Sequence, residues 1–151
     1  MAATKTASKK LPKEKNESGI KYVDKSAGQP EMTPIFEAIK KILLPYEKGA
    51  IKLISSGGQA VLISKKPVEI LGRKKDELWF AGALVQKGYV GFYYMPVYGD
   101  PKVKELIKPE LLKCLKGKAC FHIKKYDTEI LSQIKDALSV GYNLWHSRKW
   151  L

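Results

Sequence analysis

The sequence predicts an α+β fold, in which helices pack on one face of a curved antiparallel sheet of about five strands. Three observations predict it. Apolar residues recur at helical spacing over residues 33–46 and again over 127–149, and the stretch between them is divided into short β-rich runs by glycine and polar turns. Because short turns join successive strands, these strands pair as antiparallel neighbours and the flanking helices cover the sheet.

The first helix is predicted to begin at Thr33 and Pro34, with threonine as its cap. Proline at the first helical position lacks only an N–H that would have no partner there. Pro45 and Gly49 end the helix, because neither residue continues it well. Its buried stripe comprises Ile35, Phe36, Ile39, Ile42, Leu43 and Tyr46.

The strands are predicted between Ala50 and Met95. Gln86-Lys87-Gly88 joins the last two of them and fits a three-residue hairpin loop with a glycine bulge. The predicted strands are IKLISS, QAVLIS, PVEIL, ELWFAGALV and YVGFYYM, and ACFHIK forms a later one.

Two helical segments are predicted near the C-terminus. A short helix spans about Pro109 to Leu115, before Gly117. The final helix opens with Asp127 as its cap and carries Glu129 in its first turn, where the helix dipole favours an acid. Its buried stripe comprises Ile130, Leu131, Ile134, Leu138, Tyr142 and Trp145.

The chain divides into a tail, residues 1–30, and a single domain, residues 31–151. The tail holds seven lysines, three acidic residues and few apolar groups. Burial of so few apolar groups cannot offset the entropy lost on ordering, so a flexible basic tail is expected. The remaining residues contain enough apolar side chains for one core.

The net charge of +13 predicts attraction to polyanions, with 28 basic residues against 15 acidic ones. Only Arg73 and Arg148 are arginines, although arginine is the usual residue for bidentate recognition of phosphate and guanine. We therefore expect a weak, nonspecific attraction to polyanions. Nonspecific binding of nucleic acid through the lysine-rich tail is an alternative function, and a solvated extension is the preferred interpretation of this tail. Neither an apolar run of about 18 residues nor a signal-peptide h-region occurs, so a cytoplasmic protein without membrane contact is expected.

The hairpin formed by residues 78–95 is apolar on both of its faces. Simple alternation places Trp79, Ala81, Ala83 and Val85 on one face with Tyr89, Gly91, Tyr93 and Met95, and places Phe80, Gly82, Leu84 and Phe92 on the other. The second face is typical of a core beneath helices. The first combines rings that carry hydroxyl or indole N–H groups with small residues, as ligand-binding walls do.

The predicted ligand contacts are therefore Trp79, Tyr89, Tyr93, Met95 and Tyr98, with Met95–Pro101 ending the strand at the sheet edge and forming a rim. A small molecule, a protein partner and a second copy of the chain in a homodimer are all candidate occupants of this face. Equally, loops or the tail simply cover it. The sequence predicts a non-catalytic binding module.

No catalytic residue, metal ligand set or cofactor is predicted. GxSxG, Walker, HExxH and dinucleotide-binding motifs are absent from the sequence, and no nucleophile has an evident base. Cys114, Cys120 and His122 form a soft-ligand cluster, in which Cys120 and His122 share a strand face. A structural zinc site needs four ligands, so buried thiols and a core histidine are the preferred interpretation.

The segments GYVGFYYMPVY and LLKCLKGKACFHIKK, followed by a long final helix, resemble the YdhG-like family of small bacterial domains. The resemblance covers Thr33 to the C-terminus and implies an α+β sandwich with a curved antiparallel sheet. One relative is described as a frataxin-like iron chaperone, so iron binding is the alternative function that the resemblance implies. In this chain the corresponding region carries Glu31, Glu37 and Glu47 among four lysines, which repel a cation.

Overall fold

The computed structural model describes residues 22–98 and 100–151. Its helices are α1 (Thr33–Leu43), α2 (Pro101–Glu105), α3 (Pro109–Leu112) and α4 (Thr128–Ser147). Its strands are β1 (Ile51–Ser56), β2 (Gln59–Ser64), β3 (Val68–Ile70), β4 (Arg73–Lys75), β5 (Leu78–Gln86), β6 (Tyr89–Tyr94), β7 (Leu115–Lys116) and β8 (Cys120–Ile123). Elements α2, β4 and β7 go beyond the sequence prediction, because they have five, three and two residues and are too short to show a periodicity.

The strands form one large and one small sheet. The large sheet has six antiparallel strands in the order β1-β2-β5-β6-β8-β7, and β3 and β4 form a separate hairpin between β2 and β5. An ion pair of 2.7 Å between Lys65 and Glu77 connects the two ends of this small hairpin. The predicted α+β class with an antiparallel sheet is confirmed, with six strands in the main sheet. Strand β6 is internal to it, so Met95–Pro101 does not end an edge strand.

A bulge in β5 decides which side chains face the helices. Leu62 pairs with Ala81 but the next residue, Ile63, pairs with Trp79, so Phe80 is the extra residue. Phe80 and Ala81 both belong to the main core, whereas Trp79 packs with the residues on the opposite face. The regular alternation assumed from the sequence is therefore interrupted at Phe80.

The predicted assignment of the hairpin faces is consequently wrong in part. Ala81, Ala83 and Val85 lie in the core beneath the helices, with Val90 and Phe92 as their partners across the strands. The other face carries Gly82, Leu84, Gly91 and Tyr93. The connecting turn also has two residues rather than three, because Gln86 pairs directly with Tyr89. Beyond the bulge, each β5 residue therefore lies on the opposite face to the prediction.

All four helices bury their apolar residues on one face of the sheet. The core there includes Ile39 of α1, Val103 of α2, Leu111 of α3 and Ile134 of α4. The Tyr94 hydroxyl donates a hydrogen bond to the Ala137 carbonyl and so fastens β6 to α4. The opposite face, which we call the open face, has a smaller cluster around Val61, Ile63 and Leu84. Within residues 22–98 and 100–151, all four helices therefore cover the same face of the sheet, and none lies on the open face.

The start of α4 agrees with the prediction, whereas the start of α1 differs from it. The Asp127 carboxylate accepts hydrogen bonds from the backbone N–H groups of Glu129 at 2.9 Å and Ile130 at 3.2 Å, which confirms it as the α4 cap. Thr33 does not cap α1, because a 3₁₀ turn, Pro30–Met32, runs directly into the helix and makes Thr33 its first residue. No helix within residues 22–98 and 100–151 has the length and apolarity that crossing a bilayer requires.

Residues 22–29 pack on the domain, although the sequence assigns them to the tail. The Tyr22 hydroxyl donates to the Val85 carbonyl at 2.7 Å, and Gln29 accepts from the Gly88 N–H at 2.7 Å. Burial raises the pKa of Tyr22 to about 12. The rest of the predicted tail, residues 1–21, lies outside the described residues. Tyr22 thus extends the packed part of the chain ahead of residue 31.

Candidate functional site

A cavity of about 740 Å³ lies between the β3–β4 hairpin, the turn at Met95–Val97 and the C-terminal end of α4. All three tryptophans of the chain line it, and we call it the tryptophan cavity. Its volume lies within the range of about 300–1,000 Å³ typical of small-molecule sites. The apolar wall is formed by Ile70, Leu78, Trp79, Met95, Trp145 and Trp150.

The end of α4 positions Trp150 against Trp145. The Lys149 N–H donates to the His146 carbonyl and the Trp150 N–H donates to the Trp145 carbonyl, which is the Schellman pattern of a helix end. Lys149 therefore has a φ of +64°, a conformation that glycine usually adopts. The indole of Trp150 consequently lies 5.4 Å from that of Trp145, edge to face, and closes one side of the cavity.

The tip of the β3–β4 hairpin closes another side. Leu71 and Gly72 form its two-residue turn, with φ values of +52° and +79°. Such a turn favours asparagine at its first position, because a leucine there is strained. Leu71 lines the cavity and is nonetheless 98% exposed. A strained backbone therefore holds an apolar side chain at the mouth of the cavity.

Four charged residues, two of each sign, lie around the tryptophan cavity. The Arg148 guanidinium donates to Asp100 at 3.1 Å and its central carbon lies 5.0 Å from the centre of the Trp150 ring. Arg148 is thereby fixed against one wall. Glu69 and Lys75 of the hairpin complete the set. The mouth is polar and nearly neutral, whereas the interior is aromatic.

Tyr98 separates the tryptophan cavity from a second cavity of about 500 Å³. Its ring is 58% exposed, and the Lys118 ammonium lies 5.4 Å from the ring centre. The second cavity is lined mainly by Val97, Pro101, Lys104, Leu115 and Lys118. Tyr98 can therefore contact a molecule on either side.

Three of the five predicted ligand residues meet in the tryptophan cavity, namely Trp79, Met95 and Tyr98. Tyr89 and Tyr93 do not line it, because they lie on the open face over β6. Trp79 connects the two regions, since its ring lies 5.3 Å from that of Tyr93. Its indole N–H donates to the Ala81 carbonyl at 3.1 Å, so this donor is used within the protein and not offered to a ligand, contrary to expectation.

Several residues that line the cavity were not predicted to do so, namely Trp145, Trp150, Arg148 and those of the β3–β4 hairpin. Trp145 is predicted only as part of the buried stripe of the last helix. A signal was present in the position of Trp150, which follows two basic residues at the end of that helix and lies outside its stripe. A tryptophan at such a position must turn back onto the domain to pack against the core, and Trp150 does so while staying partly buried.

On the open face, four rings form a diagonal row that we call the aromatic strip: Trp79, Tyr93, Tyr89 and His122. The Tyr89 and His122 rings are stacked, with centres 3.8 Å apart and planes at 12°. A side chain at Gly91 would lie 2.7 Å from the Tyr93 ring, and one at Gly82 would lie 3.2 Å from the Trp79 indole nitrogen. Both glycines thus allow a ring to lie close to the sheet.

Hydrogen bonds hold the middle of the aromatic strip. Gln86 donates to the Tyr93 hydroxyl at 3.3 Å, and burial together with a hydrogen bond to Cys120 raises the pKa of Tyr93. Burial also raises the pKa of the Cys120 thiol, which disfavours the thiolate. Partial desolvation lowers the pKa of His122, and Lys116 and Lys124 lower it further. The thiol and the imidazole are therefore uncharged near neutral pH.

Cys120 and His122 lie on the same face of β8, as predicted, because their cross-strand partners Tyr93 and Gly91 share one face of β6. Cys114 instead packs against the core on the other face of the sheet. Within residues 22–98 and 100–151, no three or more His, Cys, Asp or Glu side chains are grouped so that they could hold a metal ion.

Comparisons of the chain with protein-family models, with curated proteins and with solved structures find no match. The resemblance to the YdhG-like family stays a prediction, as does the iron-binding role that it implies.

Proposed function

We propose that this chain is a non-catalytic binding protein that takes a small, largely apolar ligand into the tryptophan cavity. The observation that carries the proposal is that the strained backbone positions lie at the cavity. Leu71 and Lys149 have the only positive φ values among the described residues other than glycine. One lines the cavity, and the other lies between two residues that line it.

Strain of this kind supports a functional interpretation, because each such residue costs about 1–2 kcal/mol and persists only where the surrounding structure holds it. At Lys149 the strained turn positions Trp150. At Leu71 it exposes an apolar side chain that would be more stable if it were covered. A ligand in the cavity would cover it, and the aromatic wall behind offers stacking surfaces.

The shape of the site favours a flat, apolar molecule with a polar end. The interior offers indole rings and aliphatic groups, whereas the charged residues lie at the mouth. Since Arg148 is already paired with Asp100, Lys75 is the cation best placed to meet an anionic group. The ligand would thus bury its apolar part and leave its polar end at the rim.

Titration with the fluorescent probe anilinonaphthalene sulfonate tests the proposal. Its aromatic rings are apolar and it carries one sulfonate. We expect saturable binding of one probe per chain, and we expect Leu71→Asn to weaken it about tenfold, because a leucine contact of about 1.4 kcal/mol is lost.

Leu106→Asn is the matched control, because Leu106 is also exposed and lies outside the lining of the cavity. This control should bind the probe as the wild type does. Equal loss of affinity in both variants, or no loss in Leu71→Asn, would show that the probe binds elsewhere and would contradict the proposal.

A further inference from the structure

The open face carries a second candidate binding surface, which adjoins the tryptophan cavity at Trp79 and extends away from it. Its central feature is the aromatic strip, which crosses β5, β6 and β8. Tyr89, Tyr93 and His122 are each only half-buried. Rings on an open sheet give platforms on which bases stack, since every base has a π-face.

The charged side chains nearest the His122 end of the strip are lysines. Lys116 pairs with Cys120 across β7 and β8, and both Lys116 and Lys124 act on the His122 ring. Lys52 lies on the same face of β1, opposite Ile63. Among the described strand positions of this face in the six-stranded sheet, none is Asp or Glu. Asp24 lies at the turn between β1 and β2, where it accepts hydrogen bonds from Ser26 and Gly58.

We propose that the open face binds single-stranded nucleic acid, with bases stacked on the aromatic strip and the phosphate backbone along Lys116 and Lys124. Stacking rings flanked by lysines, without arginines, suit sequence-tolerant binding of a single strand. Within residues 22–98 and 100–151 all four helices pack on the other face of the sheet, so none of them can enter a duplex groove from this face, and a double strand gains only the phosphate contacts.

Fluorescence anisotropy with a labelled oligothymidylate of about 12 nucleotides tests this proposal on the full chain. Tyr89→Ala and His122→Ala should each weaken binding about tenfold, because one base loses its stacking partner. The matching duplex should bind more weakly than the single strand. A duplex that binds as tightly as the single strand would overturn the proposal, as would unchanged affinity in both ring variants.

The salt dependence of oligonucleotide binding shows whether Lys116 and Lys124, rather than lysines elsewhere, contact the phosphates. Lys116→Ala with Lys124→Ala should lower the slope of log K against log salt by about 1.4, because two phosphate contacts are lost at about 0.7 each. The control is Lys41→Ala with Lys135→Ala, which changes the net charge equally on the exposed surfaces of α1 and α4. The control should leave the slope unchanged, and an equal drop in both double variants would overturn the proposal.

The basic tail is the competing source of affinity. A full-length chain in which the tail lysines are changed to glutamine keeps the open face intact. It should retain the loss of affinity caused by Tyr89→Ala, since stacking is independent of the tail. Loss of all oligonucleotide binding in the tail variant, with no effect of Tyr89→Ala, would assign the binding to the tail and overturn the proposal. The lysines to change are Lys5, Lys9, Lys10, Lys13, Lys15 and Lys21.

Discussion

The tryptophan cavity and the aromatic strip are both rich in rings, but they are built in different ways. The cavity is concave, and strained turns at Leu71 and Lys149 bring its walls together from three separate parts of the chain. The strip lies on the sheet itself, and it is formed by neighbouring strands whose glycines leave room for rings close to the sheet. Similar residues therefore form a ligand pocket or a stacking surface according to the backbone that holds them.

Trp145→Ala should have the largest effect on stability, because Trp145 belongs to the main core whereas the strip rings Tyr89 and Tyr93 are only half-buried. Trp145 is 6% exposed and packs against Phe80 and Trp150. Its loss should lower the free energy of unfolding by about 3–5 kcal/mol. Tyr89→Ala in the strip should cost only about 1 kcal/mol, because the ring is half-exposed. Urea unfolding measures both, and equal losses would show that the strip is also part of the core.

Gly91→Ala should damage the strip without reaching the cavity. The new methyl group would lie 2.7 Å from the Tyr93 ring, which must move aside. We expect a loss of about 1–2 kcal/mol in unfolding free energy, since overpacking costs roughly this amount. Oligonucleotide affinity should fall while affinity for anilinonaphthalene sulfonate is retained. A parallel fall in both affinities would mean that the two surfaces are coupled, with Trp79 as the evident link.

Substitutions that relieve strain at the cavity should stabilise the protein. Lys149→Gly should raise the free energy of unfolding by about 0.5–1 kcal/mol, because glycine adopts a positive φ without steric cost. Leu71→Asn should act in the same direction while weakening probe binding. Such opposite effects on stability and affinity are expected where strain serves a site. Thermal unfolding would contradict this account if either variant were less stable than the wild type.

Acid should weaken the fold slightly through His122. Partial desolvation and the nearby Lys116 and Lys124 hold the pKa of His122 below its ordinary value of about 6.5. The unfolded chain therefore takes up the proton at a higher pH than the folded chain does, and stability falls as the pH drops below about 6.5. His122→Asn should lose less stability than the wild type between about pH 7.5 and 5, which urea unfolding across this range measures. Identical pH profiles for His122→Asn and the wild type would exclude the effect.

Much of the fold could be predicted from the sequence because its signals are local. Strands β1 and β2 occupy the predicted residues, and Asp127 caps α4 as its position before a helical stripe indicates. The faces of β5 could not be predicted in the same way. The extra residue at Phe80 depends on how β2 pairs with β5, and nothing within β5 marks it.

The candidate site was predictable only in part, for a related reason. Simple alternation places Trp79 and Met95 on one face of the predicted hairpin and Tyr98 in the rim beside it, so their grouping was expected. Trp150 reaches the cavity through a helix end at which lysine stands where glycine would be the recognisable signal. The position of Leu71 could not be predicted either, because leucine does not indicate a turn with positive φ. At a strained site the residue type does not match the backbone conformation, so the local sequence pattern does not predict that conformation.

Two-dimensional NMR of the backbone amides and indole N–H groups tests most directly the claim that the cavity and the strip are separate binding surfaces. Anilinonaphthalene sulfonate should shift the indole resonances of Trp145 and Trp150 and leave the amides of Tyr89 and His122 in place. The oligothymidylate should do the reverse. If both molecules shift the same resonances, or if the probe leaves the two indoles unchanged, the account of two separate surfaces is contradicted.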